Sequence, residues 1–184
     1  ELIALAKSRP GALSYGTGGS GSATHLGTEL LQLNAGISML HVPYKGSGPA
    51  LAAVMGGEIQ IVLVALSAAL PHMKSGRIKV LAISSEKRDP ALPDVHTVSE
   101  TPGFEGFHTG SWPGLLGPAK LPADIIIKFN NELRRALALA DVKEKLGSQG
   151  TVPLPMTPQE SAKFLLGERE RWAKVVKESG FKLE

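Results

Sequence analysis

Ser14-Tyr15-Gly16-Thr17-Gly18-Gly19-Ser20-Gly21-Ser22-Ala23-Thr24-His25 is the stretch on which the reading of this chain turns. The largely apolar residues 12–15 lead into it, and Ala23, Leu26, Leu30 and Leu33 leave it at the spacing of one helical face. A glycine- and hydroxyl-rich loop therefore joins a strand to the start of a helix. Glycine lets the backbone take positive φ and lets a ligand approach the main chain closely. The first helical turn carries unpaired N–H groups and partial positive charge. Together they form an anion site. The candidate donors are Thr17, Gly18, Gly19, Ser20, Gly21 and Ser22. The plainer alternative is a tight turn with Ser22 as an ordinary N-cap. Four glycines and three hydroxyls are more than a cap needs, which favours a binding loop.

Outward from this loop the chain alternates strand and helix. Residues 1–9 read as a helix ended by Pro10-Gly11. With no initiating Met and no signal peptide, the sequence is expected to begin inside a longer polypeptide. Asn34-Ala35-Gly36 ends the helix that follows the loop. Residues 37–42 read as a second strand, and Pro43-Tyr44-Lys45-Gly46-Ser47-Gly48-Pro49 as a second loop. Ser47 is the expected N-cap of a short helix over 50–55, stopped by Gly56-Gly57. Residues 59–64 form an apolar run interrupted by Gln60, as in a strand buried on both faces. Ser67 is the expected cap of the next helix, which runs to Gly76, and residues 78–83 read as another buried strand. Short crossover helices between such strands imply a mostly parallel α/β sheet with right-handed connections.

The remainder is of a different kind. Residues 85–110 are irregular, with an ordered surface loop at Arg88-Asp89-Pro90-Ala91-Leu92-Pro93-Asp94-Val95. Residues 111–118 read as a short apolar segment, a strand that changes direction. From Pro122 the residues Ile125, Ile126, Phe129, Leu133, Ala136 and Leu137 mark one helical face. A short helix over 141–146 and a lone strand over 151–154 follow. Thr157-Pro158-Gln159-Glu160 is a capping box opening a helix that stops at Gly180.

Composition removes several classes of function. The net charge is +3, and bases alternate with acids, as in Glu168-Arg169-Glu170-Arg171, so there is no nucleic-acid stripe. Aromatics at 5% do not supply a base-stacking platform. Without cysteine there is no disulfide frame and no thiolate chemistry, which suits an oxidising compartment. No apolar run is long enough to span a bilayer.

Gly16, Gly18 and Gly21 satisfy the dinucleotide fingerprint, but that fingerprint also needs an acid at the end of the second strand. His41-Val42-Pro43-Tyr44-Lys45 has none there, though Lys45 leaves an NADP-binding oxidoreductase domain as the alternative. His25 either meets a bound anion or orients the loop. Tyr44 offers a ring and a hydroxyl at the second loop, and Val64 and Ser67 stand at a third, all on the strand edge where open parallel sheets bind ligands. Trp112 is expected in the core. His72, His96 and His108 lack ligand spacing, so neither a metal nor a cofactor is expected. Donors without paired acids and bases favour binding over catalysis.

Residues 15–22 with His25, followed by His41-Val42-Pro43-Tyr44-Lys45-Gly46-Ser47-Gly48-Pro49-Ala50, resemble the tripartite tricarboxylate transporter substrate-binding proteins, also called Bug receptors. Ala69-Leu70-Pro71-His72, the loop at 88–95, Ser111-Trp112 before Gly114-Leu115-Leu116, and Arg171-Trp172-Ala173-Lys174-Val175-Val176-Lys177 extend the resemblance over nearly the whole chain. It implies a type II-like periplasmic-binding-protein fold, one lobe of a two-lobed receptor that closes on a small carboxylate. Residues 1–118 correspond to the second, ligand-binding lobe. Residues 119–184 correspond to a C-terminal helical extension that packs toward a first lobe absent from this sequence. The resemblance further implies a periplasmic location, a membrane permease as partner, and no enzymatic activity. Many members carry an acid, often Asp-Asn, where this chain has Val64-Ala65. Without an acid to meet an ammonium, the expected ligand is a di- or tricarboxylate or an aromatic acid rather than an amino acid.

Overall fold

The computed structural model describes residues 1–181. Its centre is a three-stranded parallel sheet, β1 (Ser14–Thr17), β2 (Leu40–Pro43) and β3 (Ile61–Val62), in the order β2-β1-β3. Tyr15 lies opposite His41 on one side and Ile61 on the other. The helices are α1 (Leu2–Ser8), α2 (Ala23–Ala35), α3 (Ser47–Met55) and α4 (Leu66–Lys74), then α5 (Ala123–Ala138), α6 (Ala140–Ser148) and α7 (Pro158–Ser179). Helix α2 connects β1 to β2, and α3 carries the chain back across β1 to β3. The carboxyl edge of β1 is thus a topological switch point, where open α/β sheets hold ligands.

Two compact units make up the chain. One comprises Glu1–Ser111 together with the stretch from Lys174 onward; the other is Trp112–Ala173. In the first, Tyr15 and Thr17 are fully buried with Ala50, Leu51, Ala53 and Ile59 also enclosed. A neighbouring cluster packs Ala35 against Phe104 and Phe107, bordered by Ile3, Leu30 and Leu31. Helix α2 ends where Gly36 takes the left-handed conformation (φ +60) and its N–H reaches the Gln32 and Leu33 carbonyls. The loop at 88–95 is ordered by Arg88, whose guanidinium donates to Glu100 and to the Pro93 carbonyl. In the second unit, the Trp112 and Trp172 indoles both donate to Glu168 Oε2 at 3.0 Å. Trp112 is 41% exposed, not a core residue.

The strands depart from the sequence reading more than the helices do. Residues 78–83 form no strand; Ile83 makes a single parallel bridge to Thr97, and Leu81 is 48% exposed. An apolar run becomes a strand only where a neighbouring backbone offers a ladder, and residues 78–82 have none. The run 59–64 is reduced to a two-residue strand, half-buried rather than enclosed, and the exposed Gln60 accepts from the Ser14 amide at 2.8 Å. Residues 111–118 and 151–154 are irregular. Two expected caps also move. Gly46 (φ +102) caps α3 and Ser47 is its first helical residue, while Ala65 caps α4 and Ser67 lies inside its first turn.

Candidate functional site

The loop after β1 is held by its own side chains. Thr24 Oγ1 accepts from the Gly18 amide at 3.0 Å, Thr17 Oγ1 from the Gly19 amide at 3.2 Å, and His25 Nδ1 from the Gly21 amide at 3.0 Å. The Ser22 amide donates to the Gly19 carbonyl, and Ser22 Oγ accepts from the His25 amide at 3.2 Å as the N-cap of α2. Four of the expected backbone donors are therefore used inside the protein. Thr17 is fully buried and its hydroxyl is also committed, 2.7 Å from His41 Nε2. His25 is 3% exposed, so its ring orients the loop from below and does not face solvent.

What remains open is a ring of donors around the carboxyl edge of the sheet. Among the described residues, no protein partner is found for the amides of Ser20, Ala23 and Thr24, of Ser47 and Gly48, or of Leu66 and Ser67. The hydroxyls of Ser20, Ser47 and Ser67 are likewise uncommitted. Neither α3 nor α4 has a side-chain cap, so both present bare helix N-termini. The second loop lies against the first: the Tyr44 amide donates to the Thr17 carbonyl at 3.1 Å and the Gly46 amide to the Gly18 carbonyl at 3.2 Å. Ser47 and Gly48 join the candidate donors through this contact. Ser47 is the first helical residue and not the cap, and a glycine beside a hydroxyl at a strand end is the signal in the sequence for Gly48. Val64 is half-buried just before α4.

Beneath the loop lies a stack of rings. His25 and His41 are parallel, 3.8 Å between centroids and 12° between planes. Tyr15 packs against His41 at 5.1 Å and lies 6.4 Å from His25, and Phe181 meets the edge of His25 at 4.6 Å. The Tyr15 hydroxyl donates to Glu29, which also accepts from Gln32 Nε2 at 2.8 Å and stands 3.7 Å from His25 Nε2. Burial, then the bond to Glu29, pushes the Tyr15 phenol far above its ordinary range. Burial lowers His25 against the opposing pull of Glu29. His41 is pushed down to about 4 by burial and by the adjacent His25. Both rings are therefore neutral near pH 7.

The dinucleotide alternative finds no support in this geometry. A Cβ added at Gly18, where a pyrophosphate would approach, would already be in contact with Gly46 and Ser47 at 3.5 Å, and β2 ends at Pro43 without an acid. Among the described residues no cluster of three His, Asp or Glu side chains could hold a metal ion, and no helix is long and apolar enough to cross a membrane.

Comparison with known proteins decides the family. The model of the tripartite tricarboxylate transporter family receptor matches residues 1–181. The chain belongs to this receptor family. Protein BugT of Bordetella pertussis is 37% identical over 183 residues, covering 100% of this chain and 56% of BugT. The fold is that of solved periplasmic receptors. A structure described as a periplasmic transporter matches with a TM-score of 0.87 and 34% identity, over 100% of this chain and 61% of that one. Rpa4515 of R. palustris, solved with adipate, matches with 0.85 and 32%, over 97% and 60%. MatC from Rhodopseudomonas palustris, solved with bound malate, matches with 0.79 and 31%, over 95% and 60%. The chain spans about half the length of the curated family relatives it matches.

Proposed function

We propose that this chain is the anion-gathering part of a periplasmic solute-binding receptor. It takes a small carboxylate without an ammonium group and presents it to the membrane permease of a tripartite tricarboxylate-type transporter. The observation that carries the reading is the convergence of three helix N-termini, α2, α3 and α4, on the carboxyl edge of three parallel strands, two of them uncapped. The Ser20, Ser47 and Ser67 hydroxyls and the free amides beside them are the proposed contacts, with Tyr44 and Val64 as walls. Gly18, Gly19, Gly21, Ser22, Thr17 and His25 hold the shape of the loop. The loops hold donors without a nucleophile and base aimed into the same space, so the role is capture rather than catalysis.

Adipate in Rpa4515 and malate in MatC are carboxylates without an amine, in keeping with the apolar Val64-Ala65 before α4. In the same reading, residues 1–118 are the ligand-binding lobe and residues 119–184 a helical extension that packs against the further residues of the longer relatives. Isothermal titration of the chain with adipate, malate and aspartate tests the proposal. Binding of the two amine-free acids and not of aspartate is the expected result; binding of aspartate alone overturns the choice of ligand class.

A further inference from the structure

The ring stack lies under the loop, and each of its two histidines is bonded to it, His25 to Gly21 and His41 to Thr17. His25 Nδ1 accepts the Gly21 N–H at 3.0 Å, so the proton of the neutral ring sits on Nε2, facing Glu29. Thr17 Oγ1 accepts from the Gly19 amide and has two further partners, the Gly19 carbonyl at 3.3 Å and, nearer, His41 Nε2 at 2.7 Å. His25 thus accepts from the loop, His41 bonds to it through Thr17, and the two rings lie face to face at 3.8 Å. We propose that His25 and His41 are positioning residues that hold the anion loop only as a neutral stacked pair, so that protonation in acid releases the loop.

A protonated His25 has no lone pair at Nδ1. Two donors then face each other, and Gly21, held at φ +74 between Ser20 and the capping Ser22, must turn away. Two imidazolium rings at this separation also repel one another. Among the described residues, the groups facing the pair are Tyr15 from β1, Glu29 from α2, Thr17 from the loop and Phe181 beyond α7. Glu29 is the single charge among them. It favours a cation at His25, while burial of both rings and their mutual charge disfavour one. The balance places the release below the ordinary histidine range, with His41 titrating at about 4.

The positioning role stands independently of the ligand; the loss of binding in acid rests on the carboxylate reading above. The experiment is a ligand-free NMR titration of the 184-residue chain from roughly pH 7.5 to 3, following the imidazole carbons and the Gly19 and Gly21 amides. The glycine amides are expected to move and to lose exchange protection with the midpoints of the two rings. A Gly21 amide that stays fixed while His25 titrates overturns the proposal. Adipate titrations at the same pH values follow. His25→Gln, whose carbonyl accepts but does not titrate, is expected to lose about tenfold less affinity between neutral and acid pH than the wild type, a ratio in which the acid's own titration cancels. An equal loss in both proteins overturns the link to binding. If glycine amides follow the rings but adipate never binds, the positioning role stands and the carboxylate reading falls. Should the variant not fold, the wild-type amide titration alone decides.

Discussion

A methyl group on Gly16 would fall inside contact distance of Ile59 Cδ1, 3.2 Å from Tyr44 Cε2 and 3.4 Å from Ala50 Cβ. Ile59 is 3% exposed and Ala50 fully buried, so neither has space to yield. Gly16 is therefore a packing residue of β1 and not a ligand-facing glycine. Gly16→Ala is expected to destabilise the chain by about 1–3 kcal/mol, the usual cost of overpacking a filled core. Urea denaturation followed by circular dichroism reads this directly, and an unchanged midpoint would show that the core has slack there. The glycine and hydroxyl content of residues 14–25 was legible as a loop, and Ser22 as its cap. The inward turn of the Gly18, Gly19 and Gly21 amides was not. Their acceptors, Thr24, Thr17 and His25, lie two to six residues away, and no spacing rule says which side chain folds back and which faces outward.

At the scale of elements, helices were legible because they carry both their period and their end signals in the chain. Helix α7 is the clearest case. Thr157 Oγ1 accepts from the Glu160 amide at 3.2 Å, while Glu160 Oε2 accepts from the Thr157 amide at 2.7 Å and from the hydroxyl at 2.8 Å. Those bonds hold the Glu160 carboxyl below its usual range. Thr157→Ala removes the acceptor for one orphan amide and is expected to cost about 1 kcal/mol, whereas Thr157→Ser keeps it. Thermal melts of the two variants check this; equal losses would mean that the methyl group, not the hydroxyl, matters. Strands were legible only in their order. Residues 37–42, 59–64 and 78–83 all look alike as apolar runs, yet they yield three, two and no strand residues respectively. A strand's extent depends on the partner it finds, and that partner is remote in sequence.

At the scale of the whole molecule, the unit Trp112–Ala173 leaves much of its apolar surface uncovered. On α5, Phe129 is 65% exposed, Ile127 55%, and Ile126 and Leu133 38% each. The residues expected to share one helical face from Ile125 to Leu137 do lie on one helix, and its large apolar side chains are partly or mostly exposed. A surface of this kind marks an interface. The proposed partner is the additional polypeptide of the longer relatives, and the argument makes a testable distinction. In the 184-residue chain, Phe129→Gln removes a ring that is mostly in water, so its stability should change by no more than about 0.5 kcal/mol. In a receptor of the relatives' full length, the same ring is expected to be buried, and its loss should cost about 3–5 kcal/mol. Paired denaturation curves of both lengths measure the difference. Equal small effects would leave α5 facing solvent in the complete receptor and would remove the packing role proposed for residues 119–184.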